Sequence, residues 1–294
     1  MCDHRVSERR AFGVRGAFGV RGAFGVRGAF GVHAVLVAAS LAMVAPFVWQ
    51  VVTSLKTLSS ATRVPPTFLP EGRWDNYAKV FELLPFGDQF VNTVVMAAGR
   101  VAGQVLFCSM AAYAFARLRF PGRNVLFGVF LSVLMVPPQL FVIPQYQIMS
   151  SLGWLNSLQA IIVPGLFSAF GVFLLRQFFL GLPRELEEAA RLDGAGPVRI
   201  YWSIMLPLAR PGLVALSVLV LLWAWNDLFW PLVVNTDPEK MTLSAGLASL
   251  QGQYQTDYPV LMAGSLIASL PVIAVFVFLQ RQFIQGIAHT GSKG

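Results

Sequence analysis

Four acids crowd one stretch, LPRELEEAARLDGAGPVRIYWSIMLPLARPG, from Leu182 to Gly212: Glu185, Glu187, Glu188 and Asp193. They stand in a chain that is 56% hydrophobic and only 12% charged. Carboxylates in this setting point to pairing with a basic group, on a partner or on their own helix. Glu187 and Arg191 are four apart and pair within one helix; Glu188 is the acid left to face a partner or, alternatively, Arg191. A second polar spot, Asn226-Asp227, lies among Trp223, Trp225, Phe229 and Trp230. Other chemistry is missing from the sequence. It has no G-x-x-x-x-G-K-[ST], so ATP must be bound elsewhere, and no H-E-x-x-H, which argues against a zinc protease. His4, His33 and His289 are isolated, and Cys2 and Cys108 form neither a disulfide framework nor a metal spacing. No catalytic residue, metal ligand or cofactor site is assigned.

The elements that position these residues are apolar runs. A soluble domain carries about a quarter charged residues, twice the share found here. A membrane-spanning helix needs roughly 20 mostly apolar residues. Six runs qualify, near 34–55, 89–116, 125–149, 158–179, 212–234 and 259–280. The first continues past the length of a signal-peptide core and is read as a retained anchor. An all-α membrane protein of six spans follows. The expected division is a basic tail over 1–33, the first span 34–55, an outer loop 56–88, a core 89–280 that includes the acidic loop 182–212, and a tail 281–294.

Net charge is +8. Lys and Arg mark the cytoplasmic side of a membrane protein. They cluster in the N-terminal tail, after span two (Arg117, Arg119, Arg123), after span four (Arg176, Arg184, Arg191, Arg199, Arg210) and at the C-terminus. The opposite side carries Lys56, Arg63, Arg73, Lys79 and Lys240. Both termini and the acidic loop are therefore expected in the cytoplasm, and the excess charge calls for no nucleic acid. Arg100 falls inside span two. The preferred reading is an arginine snorkelling to the outer interface; an intramembrane functional site is the alternative. The tail repeats AFGVRG three times, then AFGVH. Its hexad period makes no helical stripe, and two glycines per unit oppose helix. It is read as a flexible basic tail produced by tandem duplication, or else as a weak interfacial segment.

Within the acidic loop, Pro183 suits a first helical turn, and the glutamates lie at the positive end of the helix dipole. Gly194 fits the left-handed residue that ends a helix. Gly196 and Pro197 open a second short helix, which Pro207 stops or kinks. On these grounds the loop is either an inert linker or a docking element. Glu188-Ala189-Ala190, then Asp193 and Gly194, then Ile204, Met205, Leu206 and Pro207 resemble the EAA signature of ABC importer permeases in full spacing. The resemblance runs from about Leu36 and favours the sugar-importer, maltose-type branch: Pro65, Phe68, Pro70, Asn76 and Tyr77 in the outer loop, Asn92, AYAFARLRFPGR from Ala112, FLLRQFF from Phe173, WAWNDLFWPL from Trp223 and the closing GSKG.

That resemblance implies a prokaryotic cell-membrane permease whose loop is a coupling helix seated in a cleft of a cytoplasmic ATPase, one of two ATPases in the complex. Glu188, Ala189, Ala190, Asp193, Gly194, Ile204, Leu206 and Pro207 would make the docking element. It further implies a second, sequence-distinct permease and an extracellular solute-binding protein that delivers a sugar. Trp225, Asn226, Asp227 and Trp230 are candidate pathway residues, with interfacial anchoring or inter-subunit packing the preferred alternative. A permease for another solute, an ion channel and a secondary transporter are the competing readings.

Overall fold

Proline decides where the long apolar runs of this chain bend. The computed structural model describes the backbone of residues 23–252 and 256–291, and the side chains of residues 31–252 and 256–278. Among them there is no strand, only an isolated bridge between Gln251 and Thr256. The chain divides into residues 1–50 and 51–294. The first unit contributes most of helix α1 (Ala23–Ser54). Along it Val35, Leu36, Leu41 and Met43 present exposed apolar side chains, as a lipid-facing helix should. The helix begins inside the third AFGVRG copy, well before the expected residue 34, so that copy is not loose tail. A nucleated helix extends one hydrogen bond at a time, and this outweighs the roughly 1 kcal/mol that each glycine costs. The first two copies, and the closing Lys293 and Gly294, lie outside the described residues.

In the second unit, α2 (Asp75–Leu83) leads into α3 (Phe86–Arg117). Asn76 is buried and donates through Nδ2 to the carbonyls of Ser54 and Lys56, both at 2.9 Å. Tyr77 shares a 2.9 Å hydrogen bond with Ser54. Two outer-loop residues singled out in the sequence thus cap the end of the first long helix. With 32 residues and 1.5 Å rise each, α3 is about 48 Å long, more than a bilayer core requires. It carries a π-helical turn at Gln104–Cys108.

Span three is expected as one helix over 125–149. Instead α4 (Arg123–Met135) and α5 (Pro138–Ser151) meet at 96°. The cause is Pro137-Pro138. Neither proline has an N–H to continue the ladder, and a residue before proline is driven to extended backbone; Val136 adopts φ −93°, ψ 125°. Next comes α6 (Leu158–Gly181), which loosens into a 3-10 turn at Val163–Gly165 and resumes at Ala169. The acidic loop folds as α7 (Glu185–Leu192) and α8 (Pro197–Leu208), and α8 meets α9 (Arg210–Trp225) at 75°.

Span five, expected over 212–234, is also broken. After Trp225 the helix stops, and α10 (Phe229–Val234) resumes it. Asn226 turns its own amide back to the Leu222 carbonyl at 2.8 Å, competing with the helical ladder. Pro231 cannot donate to the carbonyl of residue 227, four positions back. The chain ends with α11 (Leu243–Ser249) and α12 (Tyr258–Gly291). Among the described residues four helices are long and apolar enough to cross a membrane, or up to six if each bent pair counts as one.

Packing within this unit follows from small residues. Gly99 and Gly103 are four apart on one face of α3. A Cβ on Gly103 would lie 2.4 Å from Leu166 Cδ2, and one on Gly99 would lie 2.9 Å from Ile162 Cγ2. Both α6 residues occupy the space that a side chain would need. Such small-residue pairs bring helices together where no hydrophobic force separates lipid from side chain.

Candidate functional site

The acidic loop is held rigidly against the end of the bundle. The glutamates sit in the first turn of α7 and Arg191 in its last. Gly194 terminates the helix at φ +79°, where the Ala195 N–H reaches the Ala190 carbonyl at 2.9 Å and the Gly194 N–H reaches Arg191 at 3.0 Å. This is the glycine C-cap arrangement that satisfies the last carbonyls. Pro183 stands two residues ahead of Glu185, outside the first turn where it was expected. Gly196 caps α8 and Pro197 is its first residue. Ahead of Pro207 the helix widens to a π turn at Tyr201–Met205.

One face of α8 is deeply buried. Ile200, Tyr201 and Met205 join Tyr113, Val172, Leu175, Phe179 and Leu216 in one apolar cluster. Tyr201 and Ser109 share a 2.7 Å hydrogen bond between their hydroxyls, and Tyr113 donates to the Pro197 carbonyl at 3.3 Å. The opposite face is open. Glu185, Leu186, Glu188, Ala189, Asp193, Gly194 and Pro207 are exposed; Ala190, Ile204 and Leu206 are half-buried against the cluster. Leu192 is 89% exposed, and Val198 and Trp202 are exposed too.

The acid that fastens the loop is Glu187. Its carboxylate lies between Arg191 Nη2 and Arg117 Nε, 3.2 Å from each. The Glu187 and Arg117 side chains are only 5% and 4% exposed. The contact with Arg117 Nε is a charge pairing without hydrogen-bond alignment. Arg117 Nη2 instead donates to the Phe179 and Leu182 carbonyls, the latter at 2.6 Å. Arg117 therefore ties the ends of α3 and α6 to α7. The Glu187–Arg191 pair follows from helical spacing. Arg117 is legible in sequence only as a topology charge, because it meets Glu187 through tertiary folding.

A second polar constellation lies inside the bundle. Arg100 does not snorkel outward. Its Nη1 meets Asp227 Oδ2 at 2.7 Å, and its Nε donates to the Ile161 carbonyl at 2.8 Å. The two side chains are 12% and 21% exposed. The break after Trp225 places Asp227 within reach of the arginine, and pairing removes the reason for a buried charge to seek the interface. Gly165 makes room: a Cβ there would lie 2.6 Å from Arg100 Cδ. Arg100 and Asp227 line a cavity of about 330 Å³ with Gln139, Gln145, Phe229 and Trp230. Polar groups beside aromatic rings suit a ligand with hydroxyls and apolar C–H faces.

The remaining candidate pathway residues divide. Trp230 borders this cavity while its Nε1 donates to the Ala160 carbonyl at 2.8 Å. Trp225 is buried, donates to the Ala268 carbonyl at 3.0 Å and borders a separate apolar cavity with Phe90 and Pro271. Asn226 is exposed and spends its amide on its own helix. Among the described residues no cluster of His, Cys, Asp and Glu could hold a metal.

Residues 104–289 match the family model described as the binding-protein-dependent transport system inner membrane component. The chain is 40% identical over 221 residues to the arabinooligosaccharides transport system permease protein of Halalkalibacterium halodurans, covering 75% of this chain and 79% of that one. It is 33% identical over 267 residues to the sn-glycerol-3-phosphate transport system permease protein of Yersinia enterocolitica, covering 88% and 95%. A chain in the crystal structure of a bacterial ABC transporter involved in the import of the acidic polysaccharide alginate superposes with a TM-score of 0.75 and 26% identity, covering 87% of this chain and 97% of that one. The seated two-helix loop, the broken apolar spans and these likenesses agree: the chain is a membrane permease that belongs to the family of binding-protein-dependent transport system inner membrane components.

Proposed function

We propose that this chain is one permease subunit of an ATP-driven importer that moves a sugar or oligosaccharide delivered by an extracellular solute-binding protein. The observation that carries the reading is the α7–α8 loop, locked to the bundle through Glu187, Ile200, Tyr201 and Met205 while Glu188, Ala189, Leu192 and Trp202 remain open. A stiff element transmits a push that a flexible loop would absorb. The sequence lacks a P-loop, so the push comes from a partner ATPase pair. Each ATPase grips one permease loop as it closes on ATP. The docking set is Glu188, Ala189, Ala190, Asp193, Gly194, Ile204, Leu206 and Pro207.

The arabinooligosaccharide relative favours a sugar cargo. The sn-glycerol-3-phosphate relative, which covers more of the chain, supports a second reading as a permease for another small polyol-like solute. In the proposed topology α1, α3, α4–α5, α6, α9–α10 and α12 cross the membrane. Helix α8, at 75° to α9, lies along the inner face. Both termini are cytoplasmic, as the arginine and lysine distribution requires. A second, distinct permease completes the pathway, into which the Arg100–Asp227 cavity opens; of the candidate pathway residues Asp227 and Trp230 line that part of the path.

A C-terminally tagged chain extracted gently from its native membrane should recover an ATPase and a second permease, identified by mass spectrometry. Glu188→Arg with Gly194→Pro should leave membrane insertion intact and abolish both ATPase recovery and uptake. Uptake at the wild-type level in that variant would remove the coupling-loop assignment.

A further inference from the structure

Beside the loop lies a cavity of about 530 Å³, walled by the end of α3, the turn between α3 and α4, and α7. Five arginines line it (Arg117, Arg119, Arg123, Arg184 and Arg191) against Glu187 and Glu188. Glu187 is already committed to Arg117 and Arg191. Gly122, at φ +74°, makes the tight turn that brings Arg119 and Arg123 to one cavity. Arg123 spends one nitrogen on the Leu118 carbonyl at 3.0 Å. No carboxylate among the described residues pairs with Arg119, Arg123 or Arg184. The cavity therefore holds excess positive charge built from guanidinium groups, whose planar donors fit phosphate oxygens two at a time.

What adjoins the cavity selects the ligand. Its last lining residue on α4 is Val125, and Val125, Val129 and Val133 follow at intervals of four along one side of that helix. They are 72%, 62% and 50% exposed. An acidic protein segment would fill the cavity but leave this apolar row uncovered. A phospholipid answers both features, with its phosphate among the arginines and an acyl chain along the valines.

We infer that this cavity takes the headgroup of an anionic phospholipid, such as phosphatidylglycerol or cardiolipin, and that the headgroup braces α7 against the α3–α4 turn. The inference rests on the proposed placement of this end of the bundle at the inner membrane face. Anionic lipid is abundant on that surface and attracts basic groups. Because Glu187, Glu188, Arg184 and Arg191 form one wall, an occupied cavity stiffens the same element that is proposed to dock the ATPase.

The test is native mass spectrometry of the full-length chain alone, released from nanodiscs of phosphatidylglycerol or of phosphatidylcholine with matched acyl chains. Phosphatidylglycerol should stay bound where phosphatidylcholine does not. Arg119→Gln with Arg184→Gln should lower its retention on the order of thirtyfold. Arg199→Gln, at an exposed arginine that does not line the cavity, should leave it unchanged. Arg119→Gln alone, at an exposed side chain, should give a partial loss and serves if the double variant does not fold. Equal retention of the two lipids would overturn the proposal. So would displacement of phosphatidylglycerol by inorganic phosphate at equal concentration, which would mark a site for free phosphate. Intact lipid retention with lost ATPase recovery in the double variant would assign the arginines to the partner protein instead. Since the lipid measurement uses no partner, it fails or succeeds independently of the importer reading.

Discussion

Glu187 and Glu188 are neighbours in sequence with opposite situations. Removing a member of a buried ion pair strands the other charge, at a typical cost of about 3–5 kcal/mol. Glu187→Ala should therefore lower the thermal midpoint strongly in fluorescence-detected size-exclusion chromatography. Glu188→Ala should change stability by no more than about 0.5 kcal/mol, as exposed substitutions do. Replacing both Arg117 and Glu187 by methionine should recover much of the loss, since both buried charges go and the Arg191 left behind is half-exposed to solvent. Arg100 and Asp227 should behave as one unit: in a double-mutant cycle to alanine, the pair should show a coupling of about 0.5–3 kcal/mol. A coupling of zero would mean that the 2.7 Å contact contributes no stability. Outside the spans, hydrogen bonds from Arg73 and then Lys79 hold the Asp75 carboxyl down at about 2. A depressed carboxylate contributes above its ordinary range and loses that contribution as pH falls through its folded value. The Asp75 carboxyl carbon should thus titrate near pH 2 by NMR and move toward the ordinary range in Arg73→Gln.

At the scale of elements, close approach governs the bundle. Gly103→Ala places a methyl group where Leu166 already sits, and overpacking of this kind typically costs about 1–3 kcal/mol. Gly128, in α4, has open space around it. Gly128→Ala should stabilise by up to about 1 kcal/mol through helix propensity. The contrast, read as thermal midpoints in one detergent, separates packing from propensity. Equal shifts for the two substitutions would show that the α3–α6 approach is looser than the geometry states. Gly165→Ala adds a functional readout: its methyl group would displace Arg100, so any uptake that depends on the Arg100–Asp227 pair should fall with it.

At the scale of the whole molecule, the proposed sidedness is open to direct measurement. In a variant whose native cysteines are replaced by serine, a cysteine at Leu192 should react with an impermeant maleimide only in inside-out vesicles. The bound ATPase should protect it, because this position stands exposed at the end of α7, within the proposed docking element. Labelling from the outside in intact cells would reverse the topology.

What the sequence determined by itself was whatever depends on near neighbours. The helical class follows from run lengths, the Glu187–Arg191 pair from spacing, the end of α7 at Gly194 from its lack of a Cβ, and the family resemblance from the Glu188 to Pro207 pattern. Tertiary structure decided how distant stretches meet. Arg117 reaches Glu187 across 70 positions, and Arg100 reaches Asp227 across 127. The 96° bend turns one apolar run into two helices, although its proline pair was in plain view. Composition reports how much of a segment is apolar, but not its direction. Likewise, an isolated arginine in an apolar run reads as a solvation problem until the fold supplies its carboxylate. Which charges are buried is set by the partners the folded chain brings to them, and that information is spread over segments that no local window contains.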